Sequence, residues 1–271
     1  MDNIRGTYIV INSSLVKISD FEYTLSKKNV YEVIRIIDGV PLFLEEHLDR
    51  LKQSIEILKM NFTKSKEEIS NLIHLLAKKN SIKDGNLKIL INDGPTLMCY
   101  LYFIPHFYPD RASYTKGIKT RTIKIERKNP NAKVIDPKYK SIVTDFIEEN
   151  NIYEALLLNS DNEITEGSKS NVFFVMDHSL YTPPLKDVLG GVTRRRILDI
   201  AKELEMKVSE EPIHLEDLSE IEAAFISGTS PKILPISSID SLKLKSSEHP
   251  MVKRLIDAYN QKIKSYIDKN K

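Results

Sequence analysis

The stretch Ile164-Thr165-Glu166-Gly167-Ser168-Lys169-Ser170-Asn171 places one carboxylate at a predicted turn between two apolar segments. Ala155 to Leu158 precede it and Val172 to Val175 follow it, and both have the composition of strands. We therefore expect a hairpin around Glu166, with its side chain at the rim of a sheet. A carboxylate that is removed from water there needs a partner, which the rest of the chain has to supply.

The composition excludes several classes of protein. With 271 residues the chain can form one large domain or two smaller ones, and we expect two lobes. Its 40 basic and 38 acidic residues are mixed along the sequence, and the net charge of +2 does not indicate nucleic-acid binding. The single cysteine, Cys99, and six histidines without ligand spacing predict neither a disulfide nor a metal site. No apolar run approaches the roughly 20 residues of a membrane span and no secretion signal is recognisable, so we expect a cytoplasmic protein.

The first part of the chain predicts a small α/β domain over residues 1–113. Its strands and helices follow from residues rich in β-branching and from apolar spacing of three and four. The predicted strands are Tyr8–Ile11, Val30–Ile37, Pro41–Leu44, Leu87–Ile91 and Met98–Ile104, and the two helices carry apolar faces from Leu44 to Leu58 and from Ile69 to Leu76.

A second domain is predicted over residues 117–271, after a proline-containing break between Pro105 and Lys116. Its predicted elements are a strand at Ile118–Ile125, a helix at Pro137–Glu149, the hairpin around Glu166, a helix from Gly190 to Leu204, a strand at Ala223–Ile226 and a last helix through Val252 and Ile263.

Two loops of this second domain combine glycine with hydroxyl groups. Gly190-Gly191-Val192-Thr193 precedes a helix, whose first N–H groups and dipole attract anions. Gly228-Thr229-Ser230 follows a buried strand. Either loop alone is more often an ordinary turn, but two of them in one domain favour a phosphate site.

Four motifs in this order resemble the fold-type IV (class IV) pyridoxal phosphate-dependent aminotransferases. They are Tyr31-Glu32 with Phe43-Leu44-Glu45-Glu46-His47-Leu48-Asp49-Arg50-Leu51, then Glu166 to Asn171, Gly191 to Arg194, and Gly228-Thr229, and the match spans about residues 29–236. The family contains branched-chain aminotransferases, D-amino acid aminotransferases and aminodeoxychorismate lyases. The resemblance implies an α/β (α+β) fold with a small N-terminal lobe, and a larger C-terminal lobe built on a β-barrel-like sheet with flanking helices.

The resemblance also implies pyridoxal 5′-phosphate as cofactor and a role for each motif residue. Arg50 would contact the phosphate and Glu166 would hold the pyridinium nitrogen. The rest of the phosphate site, which we call the phosphate cup, would be Gly191, Val192, Thr193, Gly228 and Thr229. The alternative for Arg50 is an exposed helix arginine paired with Glu46.

By the same resemblance the Schiff-base lysine is Lys133, which lies 33 residues before Glu166 in a partly apolar segment. Lys138 and Lys140 lie too close to Glu166 and at a helix start. The alternative for Lys133 is a surface lysine that follows a turn.

The sequence identifies the substrate-binding residues less clearly than the cofactor-binding residues. Tyr31 and Arg35 project from one face of their strand and are candidates for it, although Arg35 can equally pair with an acid on the sheet. Asp93 in Asn92-Asp93-Gly94-Pro95 would repel the carboxylate that D-amino acid aminotransferases capture there. The tyrosine that branched-chain enzymes place five residues after the lysine is replaced by Lys138, and Ser230-Pro231-Lys232 replaces the usual continuation of the last motif.

The sequence thus predicts a homodimeric aminotransferase that moves an amino group between an amino acid and a 2-oxo acid. Two alternatives remain open at this point. One is an aminodeoxychorismate lyase, and the other is a non-catalytic homologue that binds pyridoxal phosphate or another phosphate ligand.

Overall fold

The computed structural model describes residues 3–21 and 25–271, which form two compact units. Unit 1 comprises the described residues up to Phe107 together with Ala132–Ile135 and Ile263–Lys271. Unit 2 comprises Tyr108–Asn131 and Asp136–Lys262. Both units are discontinuous in sequence, whereas the division predicted between residues 113 and 117 is a single cut.

Unit 1 is an antiparallel sheet with two helices. Its elements are β1 (Arg5–Ile11), β2 (Ser14–Lys17), β3 (Asn29–Ile37), β4 (Val40–Pro41), α1 (Leu44–Ile57), α2 (Lys66–Lys79), β5 (Gly85–Asp93) and β6 (Leu97–Ile104). The strand order is β2-β1-β6-β5-β3-β4. The predicted strands and the two helices are confirmed, except that β4 ends at Pro41.

Alternation along β3 separates the two faces of this sheet. Val30, Ile34 and Ile36 are fully buried in one apolar cluster with residues of α1 and α2. Tyr31 and Arg35 point to the opposite face, as the period of two requires. That second face carries a smaller apolar cluster and the residues expected on the substrate side.

Unit 2 contains most of the remaining elements. They are α3 (Arg111–Lys116), β7 (Ile118–Lys124), α4 (Pro137–Glu149), β8 (Glu154–Leu158), β9 (Glu163–Gly167), β10 (Asn171–Met176), β11 (Ser179–Thr182), α5 (Val192–Glu203), β12 (Val208–Glu210), β13 (Ile213–His214), β14 (Ala223–Gly228), β15 (Lys232–Ile239), β16 (Leu242–Lys243) and α6 (Pro250–Asn270), whose last residues belong to unit 1.

The sheet of unit 2 is curled. Its order is β12-β11-β10-β14-β15-β7-β8-β9-β13, with β16 attached to β15. The two outermost strands, β12 and β13, are separated by only two residues of chain. One apolar cluster collects inward side chains from β7 to β10 and from β13 to β15. A sheet whose edges meet around one core is the barrel-like sheet that the motifs predicted.

The prediction of a hairpin around Glu166 is wrong. Glu166 lies within β9, whose hairpin partner is β8, and the turn that follows it covers residues 167–170. The chain then enters β10, which pairs with β11 and β14. β9 escaped prediction because it is short and carries two carboxylates among its five residues. The short helix α3 was also not predicted, nor were the strands β2, β11, β12, β13, β15 and β16.

Candidate functional site

In unit 1, hydrogen bonds on both sides hold the backbone of Lys133. The carbonyl of Lys133 accepts from the N–H of Tyr31 at 2.9 Å, and a bridge joins Val30 to Val134. The N–H of Lys133 donates to Ser54 Oγ of α1 at 3.0 Å. This segment therefore extends the sheet beyond β3 and fixes the direction of the Lys133 side chain.

The Lys133 side chain shares a face with Tyr31, because the two residues are neighbours across the bridge. Its Nζ lies 4.7 Å from the centre of the Tyr31 ring. A second ammonium, Lys88 Nζ, lies 4.9 Å from the same ring centre. Both distances allow a cation–π interaction.

Sequence reasoning missed Lys88, which is buried in β5. A lysine inside the apolar run Leu87-Lys88-Ile89-Leu90-Ile91 was the available signal, since lysine is seldom buried without a specific role.

Arg50 lies on the opposite face and is buried. Its Nε and Nη2 donate to the two carboxylate oxygens of Glu32 at 2.9 and 2.6 Å. It is therefore buried and paired with Glu32, whereas the alternative supposed an exposed arginine. Glu32 takes two of the five donors of a guanidinium and fixes its plane.

Glu32 is fully buried, and His47 Nδ1 lies 3.2 Å from its Oε1. Burial by itself would raise the pKa of Glu32, but the positive charge of Arg50 and the contact with His47 hold it well below its usual range. Burial lowers the pKa of His47, against the charge of Glu32. Glu32 is thus the ionised anchor of Arg50, and its place among the inward residues of β3 was the sequence signal for it.

In unit 2, Glu166 is buried and its carboxylate accepts hydrogen bonds from Arg127 and Leu189. Arg127 Nη1 donates to Oε1 at 2.9 Å, and the N–H of Leu189 donates to Oε2 at 3.1 Å. A carboxylate accepts about four hydrogen bonds, which is more than these two donors supply. Arg127 was missed, since the charged run Glu126-Arg127-Lys128 resembles a surface segment.

The turn after Glu166 is built on a second buried acid, Glu154. It accepts from the N–H of Ser168 at 3.1 Å, from the Ser168 hydroxyl and from Ser170 Oγ at 3.0 Å. Burial raises the pKa of Glu154, while Lys169 and the serine hydroxyls oppose that shift. A Cβ on Gly167 would lie 2.1 Å from Ser170 Oγ, so the turn requires glycine there. The Tyr139 hydroxyl closes the turn by donating to the Ser168 carbonyl at 2.9 Å.

The first turn of α5 lies against the start of β10. Asn171 Nδ2 donates to the Leu189 carbonyl at 2.8 Å. A Cβ on Gly191 would lie 2.0 Å from Asn171 Oδ1. Gly191 is the N-cap of α5, and Thr193 in the first turn is buried. The first N–H groups of a helix have no intrahelical acceptor and attract anions.

The last strand of the site, β14, ends beside this helix start. Asn171 of β10 pairs with Ser227 of β14, so Gly228 and Thr229 follow at the edge of the sheet where Asn171 lies. Leu189 joins Glu166 to this edge, because its N–H bonds Glu166 and its carbonyl bonds Asn171. Unit 2 therefore brings together Glu166 and the phosphate cup.

These residues fit a phosphorylated pyridine. Helix N–H groups and the hydroxyls of Thr193 and Thr229 suit a phosphate dianion, and a glycine at 191 lets the backbone approach it closely. A cavity of about 160 Å³ beside Glu166 is a different space, because no residue of the phosphate cup lines it. Across residues 3–21 and 25–271 no cluster of three metal-ligating side chains is present. Nor, within the same ranges, is any helix long and apolar enough to cross a membrane.

Comparisons with known proteins agree with this geometry. The family model "Amino-transferase class IV" matches residues 29–239. A probable branched-chain-amino-acid aminotransferase of Rickettsia felis is 32% identical over 86% of this chain and 86% of its own length. Aminodeoxychorismate lyase of Bacillus subtilis is 27% identical over 97% of this chain and 95% of its own length.

A solved structure shares the fold. The branched-chain amino acid aminotransferase from Thermobaculum terrenum, in its PLP-form, aligns with a TM-score of 0.85 and 23% identity, over 97% of this chain and 96% of that one. This likeness confirms the predicted fold class. With a family model that covers most of its length, the chain belongs to the class IV amino-transferase family.

Proposed function

We propose that the protein is a pyridoxal phosphate-dependent aminotransferase that moves an amino group between an amino acid and a 2-oxo acid. The observation that carries the proposal is Lys133, whose backbone is held by Tyr31 and Ser54 and whose amine lies over the Tyr31 ring. A fixed lysine on the substrate face is what such an enzyme needs. Family membership and the relatives' names support the same reaction.

The proposed assignments follow the motifs. Pyridoxal phosphate, when bound, supplies an aldehyde that condenses with amines and a ring that accepts the electron pair left when the substrate Cα loses a proton. Lys133 would hold the cofactor through its amine and would move the proton at the substrate Cα. Glu166, oriented by Arg127, keeps a proton on the ring nitrogen. Arg50, oriented by Glu32, binds the phosphate together with the phosphate cup.

Tyr31 and Arg35 form part of the substrate side in this proposal. We also propose two domains, at residues 1–113 and 117–271, a homodimer and a cytoplasmic location. The buried, unpaired Cys99 suits a reducing compartment. Sedimentation equilibrium of the purified protein tests the dimer.

The cofactor assignment is tested by absorption and by reduction. The protein mixed with pyridoxal phosphate should show a visible band, and borohydride followed by peptide mapping should find the cofactor on Lys133. The Lys133→Ala variant should lose both signals, and Lys138→Ala, an exposed neighbour on α4, should keep them. A retained label in Lys133→Ala contradicts the assignment, and no turnover with normal cofactor binding favours a non-catalytic homologue.

An aminodeoxychorismate lyase is the second candidate, favoured by the relative that covers 97% of this chain. The two reactions separate in one assay series. An aminotransferase converts 2-oxoglutarate to glutamate with members of an amino acid panel, whereas the lyase releases pyruvate from aminodeoxychorismate alone. Pyruvate release without amino transfer would overturn the first proposal.

A further inference from the structure

The hydroxyl of Ser227 is buried, and within residues 3–21 and 25–271 it has no hydrogen-bond partner. Ser227 is only 1% exposed. Burying a hydroxyl without a partner costs stability, and such a group in a folded protein needs an explanation.

Register determines the face on which this hydroxyl lies. Ser227 pairs directly with Asn171, and Phe225 pairs with Phe173 on the same face, where the two rings stack at 4.9 Å. The first turn of α5 covers this face, since Gly191 approaches Asn171 Oδ1. Ser227 is therefore directly beneath the start of α5.

The position of Ser227 in the chain also indicates that it lies near the start of α5. Ser227 is the last residue but one of β14 and Thr229 is the first residue after that strand, so both lie at the edge of the sheet where Asn171 lies. Helix α5 begins beside Asn171 at this edge, and the first N–H groups of a helix attract anions.

We propose that Ser227 Oγ donates a hydrogen bond to a phosphate monoester held at the start of α5, as a further member of the phosphate cup. The inference rests on the proposed function, in which that monoester is the phosphate of pyridoxal phosphate. A phosphate dianion offers only acceptors, so it satisfies a hydroxyl that has no acceptor among the described residues.

Ser246 provides a matched control in the same unit. It is also 1% exposed, but its Oγ accepts from the N–H of Ala224 at 2.9 Å. Removing the Ser246 hydroxyl therefore breaks an internal hydrogen bond, and removing the Ser227 hydroxyl breaks none.

The experiment compares Ser227→Ala, Ser246→Ala and the wild type as full-length chains. Thermal unfolding is followed with and without pyridoxal phosphate, and dissociation constants are measured for pyridoxal phosphate and for pyridoxal, which lacks the phosphate. Ser227→Ala should unfold without cofactor at the wild-type temperature or above it. Its dissociation constant for pyridoxal phosphate should rise roughly tenfold or more, because the lost bond is to a charged group. Its affinity for pyridoxal should not change.

Ser246→Ala should show the reverse pattern, with a lower unfolding temperature in both states and an unchanged dissociation constant. Ser227→Cys, close in size with a weaker donor, should bind pyridoxal phosphate with intermediate affinity.

An unchanged dissociation constant for pyridoxal phosphate in Ser227→Ala overturns the inference and leaves the proposed function intact. Equal losses for pyridoxal and pyridoxal phosphate also overturn it, since the effect would then not depend on phosphate. If the wild type binds neither compound, both proposals fail.

Discussion

Replacing Gly191 by alanine places a methyl group where the start of α5 has no room for it. The added Cβ would lie 2.0 Å from Asn171 Oδ1, far inside van der Waals contact. The Asn171 amide cannot simply swing aside, because its Nδ2 donates to the Leu189 carbonyl at 2.8 Å. Either the first turn of α5 has to shift or the hydrogen bond between Asn171 and Leu189 has to break.

The contacts around Gly191 limit the loss in the free energy of unfolding that Gly191→Ala can cause. Displacing the amide breaks its hydrogen bond to the Leu189 carbonyl, which then keeps the N–H of Gly191 at 2.7 Å, and a lost hydrogen bond of this kind costs about 0.5–1.5 kcal/mol. Crowding in a packed site adds about 1–3 kcal/mol. The lower chain entropy of alanine in the unfolded state returns about 0.4–1 kcal/mol. We expect Gly191→Ala to lower the free energy of unfolding by about 1–4 kcal/mol.

Urea denaturation of the purified protein measures this loss, and titration with pyridoxal phosphate should show weaker binding in parallel. Gly190→Ala is the control in the same loop. Its added Cβ would meet only the end of the half-exposed Leu185 side chain, at 3.3 Å, and that side chain can move. We expect its effect to stay within about 0.5 kcal/mol.

A double mutant isolates the contact. Asn171→Ala removes the group that the new methyl would strike, so Gly191→Ala should cost much less in that background than in the wild type. The reasoning is refuted if Gly191→Ala unfolds at the wild-type urea concentration, or if its cost is the same with and without Asn171.

Three further outcomes are expected. Glu32→Gln should destabilise the protein by about 3–5 kcal/mol by leaving Arg50 buried without its anion. Folding lowers the pKa of Glu32 from its ordinary 4.5, so Glu32 stabilises the protein above that pH and this stabilisation is lost as the pH falls below it. The urea midpoint of Glu32→Gln should therefore depend less on acid pH than the midpoint of the wild type. Equal pH profiles would contradict this. Burial raises the pKa of the Cys99 thiol to about 12, so a thiol reagent at pH 8 should label Cys99 only after unfolding; rapid labelling of the native protein would show that the site opens. Tyr31→Phe should retain the band formed with pyridoxal phosphate because the ring under Lys133 remains, whereas Tyr31→Leu should weaken it; equal spectra would exclude the cation–π contact as a support.

Short-range patterns in the sequence were sufficient for every helix except the short α3 and for just over half of the strands. The spacing from Leu44 to Leu58 and the run Pro137–Glu149 are amphipathic patterns that correspond to α1 and α4. β9 was missed because a strand of five residues with two acids has no local signature of its own. Its place is set by pairing with β8 and β13, which lie before and after it in the chain.

The candidate site likewise contains some residues that the sequence predicted and others that only the structure revealed. Motif order nominated Lys133, Glu166 and the phosphate cup, because those residue types recur at fixed spacing. The partners that orient them, Arg127 for Glu166 and Glu32 for Arg50, were not predicted. Each lies many residues from the group that it bonds, and sequence spacing carries no information about such contacts.

The sequence by itself determined the family, the two glycine loops and the acid Glu166 in the segment from Ile164 to Asn171. Only the tertiary structure decided that Glu166 belongs to a strand and that Leu189 joins it to Asn171. It also decided that Ser227 is buried beneath α5 with no acceptor in the part of the chain that the structure describes. The physical reason is that motifs depend on residue identity along the chain, whereas burial and hydrogen-bond partners depend on which strands become neighbours when the sheet curls.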